Sequence, residues 1–140
     1  MKKRADKPSV YIIGAYQRRL EFRTYADQLE ALGYPIASQW LYGPEEDEST
    51  MSDADLAHIA EMLESDMIGA HFAIAFTEPE GSPYTRGGRH VEFGFMVACD
   101  FGCQRVIVVG RRENLLYHMS IVEQFDTFDQ LLNTLPQQGA

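Results

Sequence analysis

The segment that decides the fold reads Ser82-Pro83-Tyr84-Thr85-Arg86-Gly87-Gly88-Arg89-His90-Val91-Glu92-Phe93-Gly94-Phe95-Met96. Its first half is rich in glycine and proline, which interrupt regular structure, so it predicts a loop. Beyond Gly88 apolar residues recur at helical spacing and predict a helix that buries Val91, Phe95 and Ala98. Glycines before a helix let a ligand approach the backbone, and free amide groups at a helix start attract anions. The segment therefore predicts a ligand-binding loop feeding a helix, with a merely solvated loop as the alternative.

Apolar runs and helical patterns alternate along the rest of the chain. Strands are predicted at Val10–Ala15, Pro35–Leu41, Phe72–Phe76, Arg105–Gly110 and Ile121–Val122. Helices are predicted at about Arg18–Leu32, from the capping residues Ser52–Asp55 to about Gly69, after Gly88, and at Asp126–Leu135. The expected inner stripes are Leu20, Tyr25, Leu29 and Leu32 in the first helix, and Leu56, Ile59, Ala60, Leu63 and Met67 in the second.

This alternation implies right-handed crossovers and a parallel sheet with helices on both faces. We predict a single doubly wound α/β domain over residues 1–140, with an ordered core at about 8–135 and a flavodoxin-like five-stranded sheet. The polar stretch from Tyr42 to Ser52 is expected to be a surface excursion, and the polar C-terminal tail is expected to be disordered.

Composition limits the classes of partner. Of the 140 residues 45% are hydrophobic and 24% charged, as in ordinary globular proteins, and the net charge of -9 argues against nucleic-acid binding. Two cysteines, Cys99 and Cys103, are too few for a disulfide framework and are expected to be buried, reduced thiols. No signal-peptide core follows Met1–Arg4, and no apolar run is long enough to span a bilayer. We therefore expect a cytoplasmic protein without membrane partners.

Three loops should converge on one crevice, because ligands of open α/β sheets bind outside the carboxyl ends of the strands. These loops are Gly14–Arg19, Thr77–His90 and Gly110–Asn114. The first resembles a phosphate-cradling turn but lacks the full glycine-rich fingerprint, and a tight turn with solvated arginines is the alternative. Tyr11, Tyr16 and Trp40 could offer an aromatic face to a planar ring, or belong to the core.

Glu92 is the leading catalytic candidate. A carboxylate one turn into a helix that opens at the crevice can stay ionised and act as a nucleophile or base. The alternative is a glutamate that caps the helix or pairs with Arg86 or Arg89. His90 is a possible general acid, whereas His58, His71 and His118 share no metal-binding spacing with it. The chain has no zinc or EF-hand pattern and no Gly-x-Ser-x-Gly elbow.

Four segments of the chain resemble the nucleoside 2-deoxyribosyltransferase family and its relatives that hydrolyse the N-glycosidic bond of nucleoside monophosphates. They are YIIGA at 11–15, AHFAIAF at 70–76, GGRHVEFG at 87–94 and VIVVGRREN at 106–114. The similarity runs from about Val10 to Leu132, and its most specific part is the Glu-x-Gly sequence at Glu92.

The resemblance implies a mechanism. Glu92 would attack the anomeric carbon and form a covalent glycosyl-enzyme, which water or a second base resolves, and Tyr11 would position Glu92 by a hydrogen bond. The turn from Gly14 to Arg19 would meet the base or a 5′-phosphate. The chemistry requires no metal and no organic cofactor. Family members are oligomers in which a neighbour completes the site, so we expect at least a dimer, with Asn114 in the loop that reaches across.

Two positions depart from the family pattern. The family usually has an aspartate on the second helix where this chain has Leu63, and Asp66 or Glu64 would have to substitute in protonating the leaving base. Transferases often have an aspartate six residues before the nucleophile, where this chain has Arg86, which favours an anionic ligand and hence a nucleotide. Leu63 motivates a second hypothesis, a non-catalytic nucleotide-binding or sensing domain. A flavodoxin-like interaction domain without a ligand is the third.

The predicted site residues fall into two groups. The catalytic group is Glu92 as nucleophile, Tyr11 as its orienting residue, and Asp66 or His90 assisting the leaving base. The substrate-binding group is Gly14, Tyr16, Arg18, Arg19, Trp40, Arg86, Gly87, Gly88, Arg89 and Asn114, with the arginines at the phosphate or sugar edge and Tyr16 or Trp40 stacking on the base.

Overall fold

The computed structural model describes residues 7–43, 48–99 and 103–138. Its strands are β1 (Val10–Ile13), β2 (Phe72–Phe76), β3 (Arg105–Val109) and β4 (Val122–Phe125), and its helices are α1 (Arg19–Ala31), α2 (Asp53–Ile68), α3 (Gly88–Ala98) and α4 (Phe128–Leu132). Short 3-10 helices occupy Tyr16–Arg18, Gln39–Tyr42, Glu48–Thr50 and Leu115–His118. The predictions for Met1–Arg4, for residues 44–47 of the surface excursion and for the last two residues of the tail lie outside the described residues.

The strands form one parallel sheet in the order β1-β2-β3-β4. Strand residues alternate between two apolar layers, as expected for a sheet covered on both faces. One layer contains Val10, Ile12, Ile74 and Ile107 with residues of α1 and α4. The other contains Tyr11, Ala73, Val106 and Val108 with residues of α2 and α3. This arrangement confirms the doubly wound α/β class.

The prediction of a second strand at Pro35–Leu41, and with it of five strands in all, is wrong for the described residues, which form a four-stranded sheet. The segment makes one parallel bridge, Ile36 to Val10, and then turns into a 3-10 helix. Side chains take the backbone groups that a longer strand would pair: the Ile12 amide donates to Ser38 Oγ at 2.6 Å, and Trp40 Nε1 donates to the Ile12 carbonyl at 2.9 Å. The hydrogen-bonded pairing of this segment with β1 therefore stops after one residue.

The predicted inner faces of three helices need correction. Helix α1 buries Phe22, Ala26 and Leu29, while Leu20 is 64% exposed. Helix α3 buries Arg89, Phe93 and Met96 at positions i, i+4 and i+7, and Val91 is 73% exposed. In α2 only Asp66 and Met67 are buried. Apolar residues occur on more than one side of each helix, so their spacing alone did not determine which side is buried.

Two further expectations concern the cysteines and the membrane. Cys99 and Cys103 are half-buried thiols rather than fully buried ones. Among the described residues, none of the helices combines the length and the apolar character needed to cross a bilayer.

Candidate active site

Tyr11 and Glu92 are in contact, although 81 positions separate them along the chain. Tyr11 lies on β1 and faces the layer under α3, which begins after the loop that follows β2. Its Oη donates a hydrogen bond to Glu92 Oε2 at 2.7 Å. On one side β1 is bridged to Ile36, and on the other side it pairs with β2, so the direction in which the chain adds segments reverses at β1. Tyr11 therefore lies on the strand at the topological switch point, where doubly wound sheets bind ligands.

Burial controls the protonation of this pair. Desolvation raises the pKa of Glu92 to about 7, although the hydrogen bond from Tyr11 favours the charged form and acts in the opposite direction. Burial, followed by the nearby charge of Glu92, raises the pKa of Tyr11. Tyr11 therefore remains a donor at neutral pH, while Glu92 titrates in the range in which an enzyme can use it as a nucleophile or base.

Asp66 belongs to the same neighbourhood. It is 9% exposed near the end of α2, and its charge adds to the rise of the pKa of Tyr11. Its two carboxylate oxygens accept from Gln39, one from the backbone amide at 3.0 Å and one from the side-chain amide at 2.8 Å. Leu63 packs against the apolar layer that contains Tyr11, and Glu64 is exposed. Asp66 and Glu64 were the two candidates for the role of the missing helix aspartate. Of these, Asp66 is the one whose charge acts on Tyr11.

The turn after β1 packs closely against α1. A Cβ on Gly14 would lie 2.4 Å from the ring of Phe22, so the glycine serves close packing here. Tyr16 and Trp40 lie with ring centroids 6.2 Å apart, and the Arg19 guanidinium lies 4.4 Å above the Tyr16 ring. Tyr16 is 38% exposed and accessible to a planar ligand, whereas Trp40 is half-buried and also packs against the core.

Arg18 is engaged within the protein. It pairs with Glu21 at 2.8 Å and with Glu78 at 2.7 Å, and it donates to the Thr77 carbonyl at 3.1 Å. Glu78 is only 4% exposed and also accepts from Ser82 Oγ at 2.8 Å. Arg18 thus ties α1 to the start of the loop after β2, and its guanidinium is neither solvated, as in the simple tight turn, nor left unpaired for a phosphate.

The two arginines around the start of α3 differ in environment. Arg86 is 79% exposed and pairs with Glu48 at 2.9 Å, on the protein surface. Arg89 is buried and makes a two-pronged pair with Glu113, in which NH2 donates to Oε2 at 2.9 Å. Its Nε is buried without a hydrogen-bond partner among the described residues. Gly87 and Gly88 have open space where a Cβ would stand, so packing does not require glycine at either position.

A polar pocket lies between the loop after β2 and the loop after β3. It is lined by Glu78, Pro79, Gly81, Ser82, Tyr84, Thr85, Arg89, His90, Arg111 and Glu113. His90 and Glu92 are two residues apart on α3, so their side chains leave the helix on different sides. The pocket therefore lies on one side of α3 and the Tyr11–Glu92 pair on the other. The described residues contain no group of histidine, cysteine and carboxylate side chains that could hold a metal ion.

Asn114 has a local role, since its side chain accepts from the Leu116 amide at 2.9 Å and caps the 3-10 helix Leu115–His118. Sequence reasoning missed Glu78, Gln39, Glu113 and Tyr117, which hold the predicted residues in place. The sequence pointed to Glu78 only through its position, directly after a buried strand and Thr77. The other three have no local signature.

No protein-family model matches the sequence, and no curated protein matches it either. Solved structures do match. A 2-deoxyribosyltransferase from the psychrotolerant bacterium Bacillus psychrosaccharolyticus is 18% identical, with a TM-score of 0.66, over 94% of this chain and 98% of that one. A CMP N-glycosidase of Clostridium botulinum is 16% identical, with a TM-score of 0.53, over 89% and 95%. A conserved protein from Enterococcus faecalis V583 is 14% identical, with a TM-score of 0.61, over 91% and 96%. The chain thus has the fold of a 2-deoxyribosyltransferase and a CMP N-glycosidase, in agreement with the resemblance seen in the sequence.

Proposed function

We propose that the protein cleaves or exchanges the N-glycosidic bond of a (deoxy)nucleoside or nucleoside 5′-monophosphate through a covalent glycosyl-Glu92 intermediate. The observation that carries the proposal is the 2.7 Å hydrogen bond from Tyr11 Oη to Glu92 Oε2. It orients the carboxylate of a residue in α3, the helix that follows the loop after β2, and ligands of doubly wound sheets bind near such loops. The fold is shared with two enzymes whose names describe deoxyribosyl transfer and N-glycoside cleavage.

The chemistry follows from the two oxygens of Glu92. Tyr11 holds Oε2, so Oε1 is the oxygen that forms the bond to the anomeric carbon. The electron pair of the broken C–N bond goes to the base, which takes up a proton from Asp66 or from water, since the predicted alternative, His90, leaves α3 on the side away from Glu92. Water or a second base then attacks the anomeric carbon, the bond from that carbon to Glu92 Oε1 breaks, and the proton of the attacking group returns to the acid that protonated the leaving base. An oxocarbenium-like transition state is stabilised by a nearby carboxylate.

The test is release of free base from a panel of nucleosides and nucleoside 5′-monophosphates, followed by chromatography. Each substrate is incubated with the protein with and without an added acceptor base. Release of base without an acceptor indicates a hydrolase, and appearance of a new nucleoside indicates a transferase. If no member of the panel yields base or a new nucleoside, the proposal is wrong.

A non-catalytic nucleotide-binding or sensing domain is the second candidate. Leu63 stands where the family has an aspartate, and both carboxylate oxygens of Asp66, which would replace it, already accept hydrogen bonds from Gln39. This candidate predicts a thermal shift with a nucleotide but no turnover. Loss of the shift in a variant of Tyr16, which is partly exposed at the crevice, would place the ligand there.

The pH dependence of turnover tests the role of Glu92. If its carboxylate is the nucleophile, kcat/KM should rise about tenfold per pH unit in acid and level off above about pH 7, where the pKa of Glu92 lies. Tyr11→Phe removes a hydrogen bond that favours the charged form, so it should raise that pKa and move the acid limb to higher pH. An acid limb near the ordinary glutamate value of 4.5, unmoved by Tyr11→Phe, would contradict this assignment.

We also expect at least a dimer. Large apolar side chains are exposed close to the candidate site, with Val91 at 73%, Leu115 at 82%, Leu116 at 61% and Ile121 at 59%. Exposed apolar groups of this kind favour association when they are neighbours on the surface. Sedimentation should give a mass of two chains or more, and Leu115→Glu should lower it.

A further inference from the structure

Asp66 is a buried carboxylate whose two oxygens both accept hydrogen bonds from one residue. The backbone amide of Gln39 donates to Oδ2 at 3.0 Å, and the side-chain amide of Gln39 donates to Oδ1 at 2.8 Å. Within the part of the chain that the structure describes, no cationic side chain forms an ion pair with Asp66. The described partners of this charge are therefore two neutral amides.

The backbone of Gln39 is fixed to β1 through the residues on either side of it. The Ile12 amide donates to Ser38 Oγ at 2.6 Å, and Trp40 Nε1 donates to the Ile12 carbonyl at 2.9 Å. Ile12 directly follows Tyr11 in β1. The two donors of Gln39 are therefore held in place relative to Tyr11.

Hydrogen bonds of this kind favour the carboxylate over the carboxylic acid. A proton on either oxygen of Asp66 would weaken that oxygen as an acceptor, and the backbone amide of Gln39 can only donate. The titratable groups of this neighbourhood are Tyr11 on β1 and, through its hydrogen bond to Tyr11, Glu92 on α3. Burial first, then the charge of Glu92, and also that of Asp66, raise the pKa of Tyr11. The charge of Asp66 thus helps to keep on the phenol the proton that Tyr11 donates to Glu92.

We propose that Gln39 is a positioning residue that holds Asp66 as a carboxylate, and that Asp66 serves the reaction as a fixed negative charge instead of as the acid for the leaving base. A fixed anion stabilises the positive charge that develops on the sugar as the C–N bond breaks. The electron pair of that bond goes to the base nitrogen, which takes its proton from water. The role towards substrate rests on the proposed glycosidic function.

The state of Asp66 is tested first, without substrate, by NMR of the Gln39 side-chain amide between about pH 5.5 and pH 8.5. The Glu92→Gln variant is used because it has no titrating group at position 92. We expect the amide shifts to stay constant over this range, and Asp66→Asn to change them, which shows that they report on Asp66. A step with pH that Asp66→Asn abolishes would overturn the proposal. The wild type gives a second measurement, in which the only step should be that of Glu92, near pH 7.

Turnover is tested second, on substrates whose bases differ as leaving anions, either cytidine and uridine 5′-monophosphates or, if the protein accepts purines, the adenine and hypoxanthine nucleotides. Asp66→Asn should lower kcat about tenfold for both members of the pair, because it removes a charge and not a proton donor. If Asp66 were the acid, wild-type kcat/KM would fall again at alkaline pH, and Asp66→Asn would abolish that fall. It would also slow release of the amino base more than release of the oxo base, since the oxo base leaves more readily without a proton. Either result overturns the proposal.

The role of Gln39 is tested with Gln39→Met, which removes the side-chain donor and keeps the backbone one. This variant should lower kcat about fivefold, the effect of losing one hydrogen bond, with KM unchanged. Gln28→Met, at an exposed glutamine of α1, is the matched control and should keep the wild-type kcat. An unchanged kcat in Gln39→Met overturns the positioning role. Absence of any wild-type turnover instead rejects the proposed function and the role towards substrate, while the NMR result still decides whether Asp66 is held as a carboxylate.

Discussion

Replacing Glu92 by glutamine should lower the rate of base release by more than about a thousandfold. The amide has nearly the same shape and can still accept from Tyr11 Oη, which lies 2.7 Å from Glu92 Oε2, so the fold should be retained. Its oxygen is a poor nucleophile, and the glycosyl intermediate cannot form efficiently. The rate is measured by chromatography on the best substrate of the panel. Glu61→Gln, an exposed glutamate of α2, is the matched control and should retain wild-type turnover.

The same variant has a stability signature that does not depend on substrate. The folded-state pKa of Glu92 is raised from 4.5 to about 7. Its protonated form is thus favoured by the fold, and the stability this provides is complete below pH 4.5 and is lost as pH rises through about 7. Glu92→Gln removes the ionisation. Relative to the wild type, the variant should therefore gain free energy of unfolding as pH rises from 4.5 to 8. Retained turnover in a variant that shows this gain would contradict the role of Glu92 as nucleophile.

Replacing Arg89 by methionine should lower the free energy of unfolding by about 3 kcal/mol. The side chains of Arg89 and Glu113 are only 7% and 9% exposed, and removing one partner leaves the other charge buried and unpaired. Burial alone would raise the pKa of Glu113, and Arg89 is what holds it below the ordinary value. Urea unfolding monitored by circular dichroism gives the measurement.

Two controls separate loss of the pair from loss of packing. Arg86→Met breaks the exposed pair with Glu48 and should cost less than about 1 kcal/mol. Arg89→Met combined with Glu113→Leu removes both charges and should recover most of the stability lost in the single variant. A single-variant loss no larger than that of Arg86→Met would show that the Arg89–Glu113 pair does not support the loop.

The candidate site was only partly visible in the sequence. Arg18 and Arg89 were expected to meet a phosphate or sugar, yet their partners are Glu78 and Glu113. These carboxylates lie 60 and 24 residues away along the chain. Long side chains choose partners among whatever the fold brings within reach, and such proximity has no local pattern. Tyr117, which contacts His90, was hidden for the same reason.

The sequence alone predicted the order of the helices and most strands, and the edge of the sheet at which a site is expected. Alternating apolar runs and helical patterns define a parallel sheet, and a parallel sheet collects its loops at the carboxyl ends. The tertiary structure decided the rest. Ser38 and Trp40 take the backbone groups of Ile12 and end the predicted second strand after one bridge. The rotation of α3 buries Phe93 and turns Glu92 towards Tyr11. The hydrogen-bond partners and the rotation of each helix depend on contacts between groups that are distant in sequence. The periodicity of apolar residues does not contain this information.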